Sequence, residues 1–101
     1  MAKKLTKATF DEARSSDKRV LVDFYADWCG PCRMLAPIVE DLANSNPEYF
    51  VCKVNVDEEP ELAKEFGVFS IPTLVVLDGG DEIARSTGAR PKAQILALLE
   101  S

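Results

Sequence analysis

With 101 residues, 47% of them hydrophobic and 29% charged, the chain has the length and apolar content for one compact domain over 1–101 and is too short for two. A net charge of −5 opposes any partner gripped through phosphates, which excludes nucleic acid, and no apolar run is long enough to cross a bilayer. Met1-Ala2-Lys3-Lys4 leads into no apolar stretch of signal-peptide length, so the expected compartment is the cytoplasm.

Only Met1 to Leu5 precede the first helix, which leaves room for no more than a short, frayed strand. Thr9-Phe10-Asp11-Glu12 has the form of a capping box, with Thr9 as N-cap and Glu12 reaching back, and predicts a short helix to about Ser16. Val20 to Ala26 is apolar on both alternating faces except at Asp23, the pattern of a central strand covered on each side. From Pro31 to Asn44 the apolar residues Leu35, Ile38, Val39 and Leu42 recur at helical spacing, and Pro37 within that helix should kink it. Phe50 to Asn55 reads as a second buried strand, and Glu61 to Phe66 as a helix opened by Pro60 and closed by Gly67. Thr73 to Leu77 is a third strand. Asp78-Gly79-Gly80-Asp81 suits a tight hairpin leading into an antiparallel strand from Glu82 to Thr87, and Pro91 to Glu100 is a last amphipathic helix. The order predicts an α/β fold in which parallel strands and a C-terminal antiparallel hairpin form one mixed sheet, with helices on both faces.

The chemistry concentrates at Trp28-Cys29-Gly30-Pro31-Cys32, where the first buried strand gives way to a helix. Three cysteines cannot close a disulfide framework, and the C-x-x-C spacing of two of them points to redox or metal chemistry. Histidine is absent and Cys52 falls in mid-strand, so half of a zinc site is the weaker reading and no metal is expected. A cysteine at a helix N-terminus faces free N–H groups and the positive end of the helix dipole, which favour its thiolate. Cys29 is thereby the nucleophile towards a substrate disulfide, and Cys32, one turn further in and more shielded, is the resolving thiol. Gly30 and Pro31 keep the turn compact. Cys52 shares a strand face with Phe50, Val54 and Val56 and reads as a small buried hydrophobe.

Val22-Asp23-Phe24-Tyr25-Ala26-Asp27-Trp28-Cys29-Gly30-Pro31-Cys32, Ile71-Pro72-Thr73 and the glycines at 80 and 88 together resemble the thioredoxin family, over about Leu5 to Leu99. The resemblance implies the thioredoxin fold, reduction of protein disulfides, recycling by a thioredoxin reductase, and no cofactor beyond the Cys29–Cys32 disulfide. It implies substrates of the kind of ribonucleotide reductase, peroxiredoxin or methionine sulfoxide reductase, and a monomer. By position it makes Pro72 a cis-proline that packs on the cysteine pair and presents backbone to substrate, where the residues alone suggest an ordinary strand-entry proline. Asp23 becomes a buried carboxylate beneath Cys32, acting as its base through water, its pKa raised by burial and held back by Lys53. Trp28, Ile71, Pro72, Gly88 and Ala89 become a shallow apolar docking surface, which Phe69 extends. Tyr25 departs from the family's usual tryptophan. Two rival functions are a disulfide oxidase or isomerase, opposed by Gly30-Pro31 between the cysteines, and a non-catalytic binding subunit, opposed by the presence of both cysteines, Asp23 and Pro72.

Overall fold

The computed structural model describes residues 1–101, as β1 (Lys3–Lys4), α1 (Asp11–Arg14), β2 (Arg19–Tyr25), α2 (Gly30–Ser45), β3 (Tyr49–Asn55), α3 (Pro60–Glu65), β4 (Thr73–Asp78), β5 (Asp81–Thr87) and α4 (Lys92–Leu99). The strands lie side by side in the order β1-β3-β2-β4-β5. β2 is the central strand because both of its faces are apolar, and its side chains divide the core. Val20, Val22 and Phe24 pack with Leu5, Phe10, Ala13 and Leu62 on the side of α1 and α3. Leu21 packs with Leu35, Val39 and Leu42 of α2 and with Ile95 and Leu99 of α4. Successive strand residues point to opposite faces, so Asp23, two beyond Leu21, points towards α2.

β1, β3 and β2 are parallel, and β4 and β5 form the antiparallel hairpin. Antiparallel pairing extends further than the hairpin, because β4 also runs against β2, with Thr73 opposite Phe24. The chain therefore enters β4 at the end of the sheet where β2 finishes, which sets Ile71 and Pro72 beside the cysteine pair.

The short N-terminal strand forms. Lys3 pairs with Cys52, Lys4 with Lys53, and the Leu5 N–H donates to the Lys53 carbonyl at 2.9 Å, while the Leu5 side chain is fully buried. The capping box does not form. Phe10 occupies the N-cap, and the Thr9 hydroxyl instead accepts from the Thr6 N–H at 2.9 Å, closing a turn upstream of a helix that ends at Arg14. Glu12 is drawn off by an ion pair with Lys3 of β1, a partner distant enough to be invisible to a local motif. α2 runs as one element across Pro37, which lies on its exposed side.

At the hairpin Gly79 and Gly80 take φ of 61° and 88°. Gly80 has a second constraint, since a Cβ there would stand 2.8 Å from the Arg14 carbonyl oxygen. Beyond it, Leu77 faces Glu82 whereas Val76 faces Ala84, so Ile83 is the extra residue of a bulge and is left exposed.

Candidate active site

β2 ends at Tyr25, and four residues later Cys29 caps α2 in an extended conformation, its Sγ accepting the Cys32 N–H at 3.2 Å. Pro31 fits the first turn because the donor it lacks would have no helical partner there. Cys29 and Cys32 are joined as a disulfide with their Cα atoms 5.2 Å apart. Their exposures are almost equal, 4% and 3%, so greater shielding of Cys32 is not what distinguishes them. What distinguishes them is what they face. Cys29 Sγ lies 3.8 Å from the Ile71 carbonyl oxygen, at the loop into β4. Cys32 lines a small, partly open cavity of about 40 Å³ shared with Asp23, Tyr25, Ala36, Val39, Glu40 and Lys53.

Asp23 is only 3% exposed, and its Oδ1 has no hydrogen-bond partner in the protein. Burial is the main reason its carboxyl is pushed up to about 7; Lys53 pulls the other way, and Glu40 adds to the rise. Lys53 stands directly opposite Asp23 across β2 and β3, yet the carboxylate in ion-pair range of it is that of Glu40, at 3.6 Å. Its Nζ also lies 5.8 Å from the centroid of the Tyr25 ring, a cation–π contact. The cavity is polar at Asp23 and is large enough to hold a water molecule.

Ile71–Pro72 is a cis peptide bond. Pro72 is buried, and its carbonyl is already engaged by the Gly88 N–H at 2.8 Å. The carbonyl facing Cys29 is therefore that of Ile71, so the main chain offered at this loop belongs to Ile71 rather than to Pro72. Thr73 fixes the loop from beneath, its hydroxyl donating to the Ser70 carbonyl at 2.5 Å. Trp28 is 67% exposed, with its indole N–H donating to Asp57 Oδ2 at 2.7 Å. Phe69, at 97%, and Ala89 are exposed as well, while Gly30, Ile71 and Gly88 are half-buried.

Two participants were not singled out by sequence reasoning: Glu40 and Asp57. Glu40 had a readable signal, since Cys32, Ala36 and Glu40 succeed one another at four-residue intervals along α2 and so share a face. Cys52 is fully buried in the opposite core layer, its thiol donating to the Leu21 carbonyl at 3.3 Å, and burial pushes its ionisation far up. It is a poor nucleophile.

A sequence model of the family described as Thioredoxin matches residues 1–101. The chain belongs to the thioredoxin family. Among its relatives is a thioredoxin of Alicyclobacillus acidocaldarius subsp. acidocaldarius, 49% identical over 96 residues, covering 94% of this chain and 91% of the relative. A bifunctional thioredoxin reductase/thioredoxin of Mycobacterium leprae (strain TN) is 48% identical over 88 residues, which are 86% of this chain and 19% of that longer protein. Among solved structures, a mutant thioredoxin from Halobacterium salinarum NRC-1 superposes with a TM-score of 0.91 at 38% identity, over 98% of this chain and 88% of that one. Together with the bonded Cys29–Cys32 pair, family membership makes the chain a thiol–disulfide oxidoreductase. No helix is long and apolar enough to cross a membrane.

Proposed function

We propose that the protein is a general reductant of protein disulfides in which Cys29 attacks and Cys32 resolves. In the reduced protein the Cys29 thiolate, stabilised by the Cys32 N–H and the α2 N-terminus, attacks one sulfur of the substrate disulfide. A Cys29–substrate disulfide forms and the other substrate sulfur leaves as a thiolate. Asp23 then takes the Cys32 proton, through a water in the cavity they share. The Cys32 thiolate attacks Cys29 Sγ, the mixed disulfide breaks, and the second substrate thiolate is released as the Cys29–Cys32 disulfide closes. Two electrons have passed to the substrate, and a thioredoxin reductase returns them.

The observation that carries this assignment is that Cys32, and not Cys29, lines the small cavity that also holds Asp23. Ile71 supplies main chain for the substrate strand, Pro72 and Gly88 hold that loop, and Trp28, Gly30, Pro31 and Ala89 are the proposed docking residues for the substrate. The reductase as electron donor is supported by the Mycobacterium leprae relative, whose name joins both activities in one protein. The reading requires no cofactor beyond the disulfide and places a monomer in the cytoplasm, where such reductases keep thiols reduced. Proteins resembling ribonucleotide reductase, peroxiredoxin or methionine sulfoxide reductase are its proposed substrates.

Cys32→Ser should accumulate a mixed disulfide with a protein substrate, and Cys29→Ser should neither trap nor reduce it. Mass spectrometry under non-reducing conditions distinguishes the two. An adduct found only with Cys29→Ser would reverse the roles.

A further inference from the structure

Glu40 projects from α2 two turns beyond Cys32, and its two carboxylate oxygens are held by different parts of the molecule. Oε1 accepts the Ala2 backbone N–H at 2.8 Å, and Oε2 lies 3.6 Å from Lys53 Nζ. The Ala2 contact comes from the segment leading into β1, so Glu40 is tied down from outside its own helix. Lys53 is the cation nearest in register to Asp23, on the same face of the sheet. Left to itself, its long stem would swing towards the one carboxyl in the cavity that lacks a hydrogen-bond partner at Oδ1. Glu40 and the Tyr25 ring take it instead.

The consequence for chemistry follows from two limiting arrangements. A carboxylate paired directly with an ammonium group stays ionised well into acid and holds a proton too weakly to exchange it near neutrality. A buried carboxyl whose nearby cation is neutralised by a second carboxylate exchanges its proton close to the pH at which the thiols work. We propose that Glu40 is a positioning residue for thiol–disulfide exchange: anchored by the Ala2 N–H, it holds the Lys53 ammonium off Asp23 and so keeps that carboxyl able to take the Cys32 proton near neutral pH. The inference deepens the reading of Asp23 as the base for Cys32 and rests on it.

The charged and titratable groups around the site are few. β2 contributes Asp23 and Tyr25, β3 contributes Lys53, and α2 contributes Cys32 and Glu40. β1 contributes Lys4, which is paired with Glu58, and Cys52 approaches Asp23 from the opposite core layer with its proton firmly held.

Glu40→Gln tests the proposal, because the amide oxygen can still accept from Ala2 while the charge that holds Lys53 is gone. Asp23 ionisation is followed by carbon-13 NMR of its side-chain carboxyl in the oxidised protein, where neither Cys29 nor Cys32 titrates. The midpoint should fall by roughly one pH unit as Lys53 turns inward. In a Lys53→Met background the same substitution should move it by clearly less. An unmoved midpoint would overturn the proposal, and so would an equal shift in both backgrounds, which would make Glu40 a bare charge with no hold on Lys53. The pH profile for resolution of a Cys29 mixed disulfide should move with the NMR midpoint. A carboxyl that shifts without the rate following would sink the base assignment of Asp23 and leave the effect of Glu40 on Lys53 standing.

Discussion

Asp23 is the residue at which stability and chemistry pull in opposite directions. Its folded carboxyl titrates at about 7, against an ordinary value of 3.8. Below pH 4 the group is protonated both folded and unfolded and is nearly neutral to stability. Between about pH 4 and pH 7 the unfolded chain releases the proton while the folded protein retains it, so stability falls steadily as pH rises and levels off once both forms are ionised. At 1.36 kcal/mol per pH unit the total is of the order of 4 kcal/mol. Asp23→Ala should therefore be more stable than the parent at pH 8, with a gain that shrinks to nothing or reverses at pH 4, where the variant has only lost packing. Denaturant melts at the two pH values check this, and an equal difference at both would contradict a raised carboxyl. The same substitution should slow resolution of the mixed disulfide. Asp23 stood out in the sequence because it interrupts an otherwise apolar strand. For Glu40 the sequence offers only its helical spacing from Cys32, and a glutamate on an amphipathic helix is ordinarily solvated; that Ala2 and Lys53 close on it shows only in three dimensions.

At the scale of elements, what depended on neighbours in sequence was legible and what depended on distant partners was not. β2, α2, β3 and β4 lie within one residue of where their apolar patterns place them, since those patterns answer to their own geometry. The capping box failed because Lys3, in another strand, competes for Glu12. The direction of β4 against β2 was hidden because a helix followed by a loop can return a chain either way. The hairpin glycines were read as turn formers, yet Gly80 also lets the hairpin pack against the end of α1. Gly80→Ala should cost roughly 1–3 kcal/mol, because strain at positive φ combines with a contact against the rigid Arg14 backbone. Gly79→Ala has the same kind of strain but open space around the new Cβ, and should cost less. Equal losses in thermal or denaturant melts would show that the approach to Arg14 is relieved by movement of the hairpin.

Across the whole molecule, the two core layers on either side of β2 leave the sheet's end free for function. Cys29 arrives there from β2 and Ile71 from the loop into β4, and Gly88 from the end of β5 ties that loop through the Pro72 carbonyl. Beside them Trp28, bonded to Asp57, and Phe69 hold their rings largely in solvent. An aromatic ring held in water gains free energy when a partner covers it, and covering half of a phenyl side chain is worth about 1 kcal/mol or a little more. Phe69 sits two residues before Ile71, where a bound substrate strand would pass, and touches none of the reacting groups. Phe69→Ser should accordingly raise KM for a protein disulfide by roughly three- to tenfold while leaving kcat within twofold. Reduction of a small aromatic disulfide, too short to reach the ring, should be unchanged. A fall in kcat with both substrates would instead mean that Phe69 holds the Ile71–Pro72 loop in shape, and that the partner is gripped elsewhere on this face.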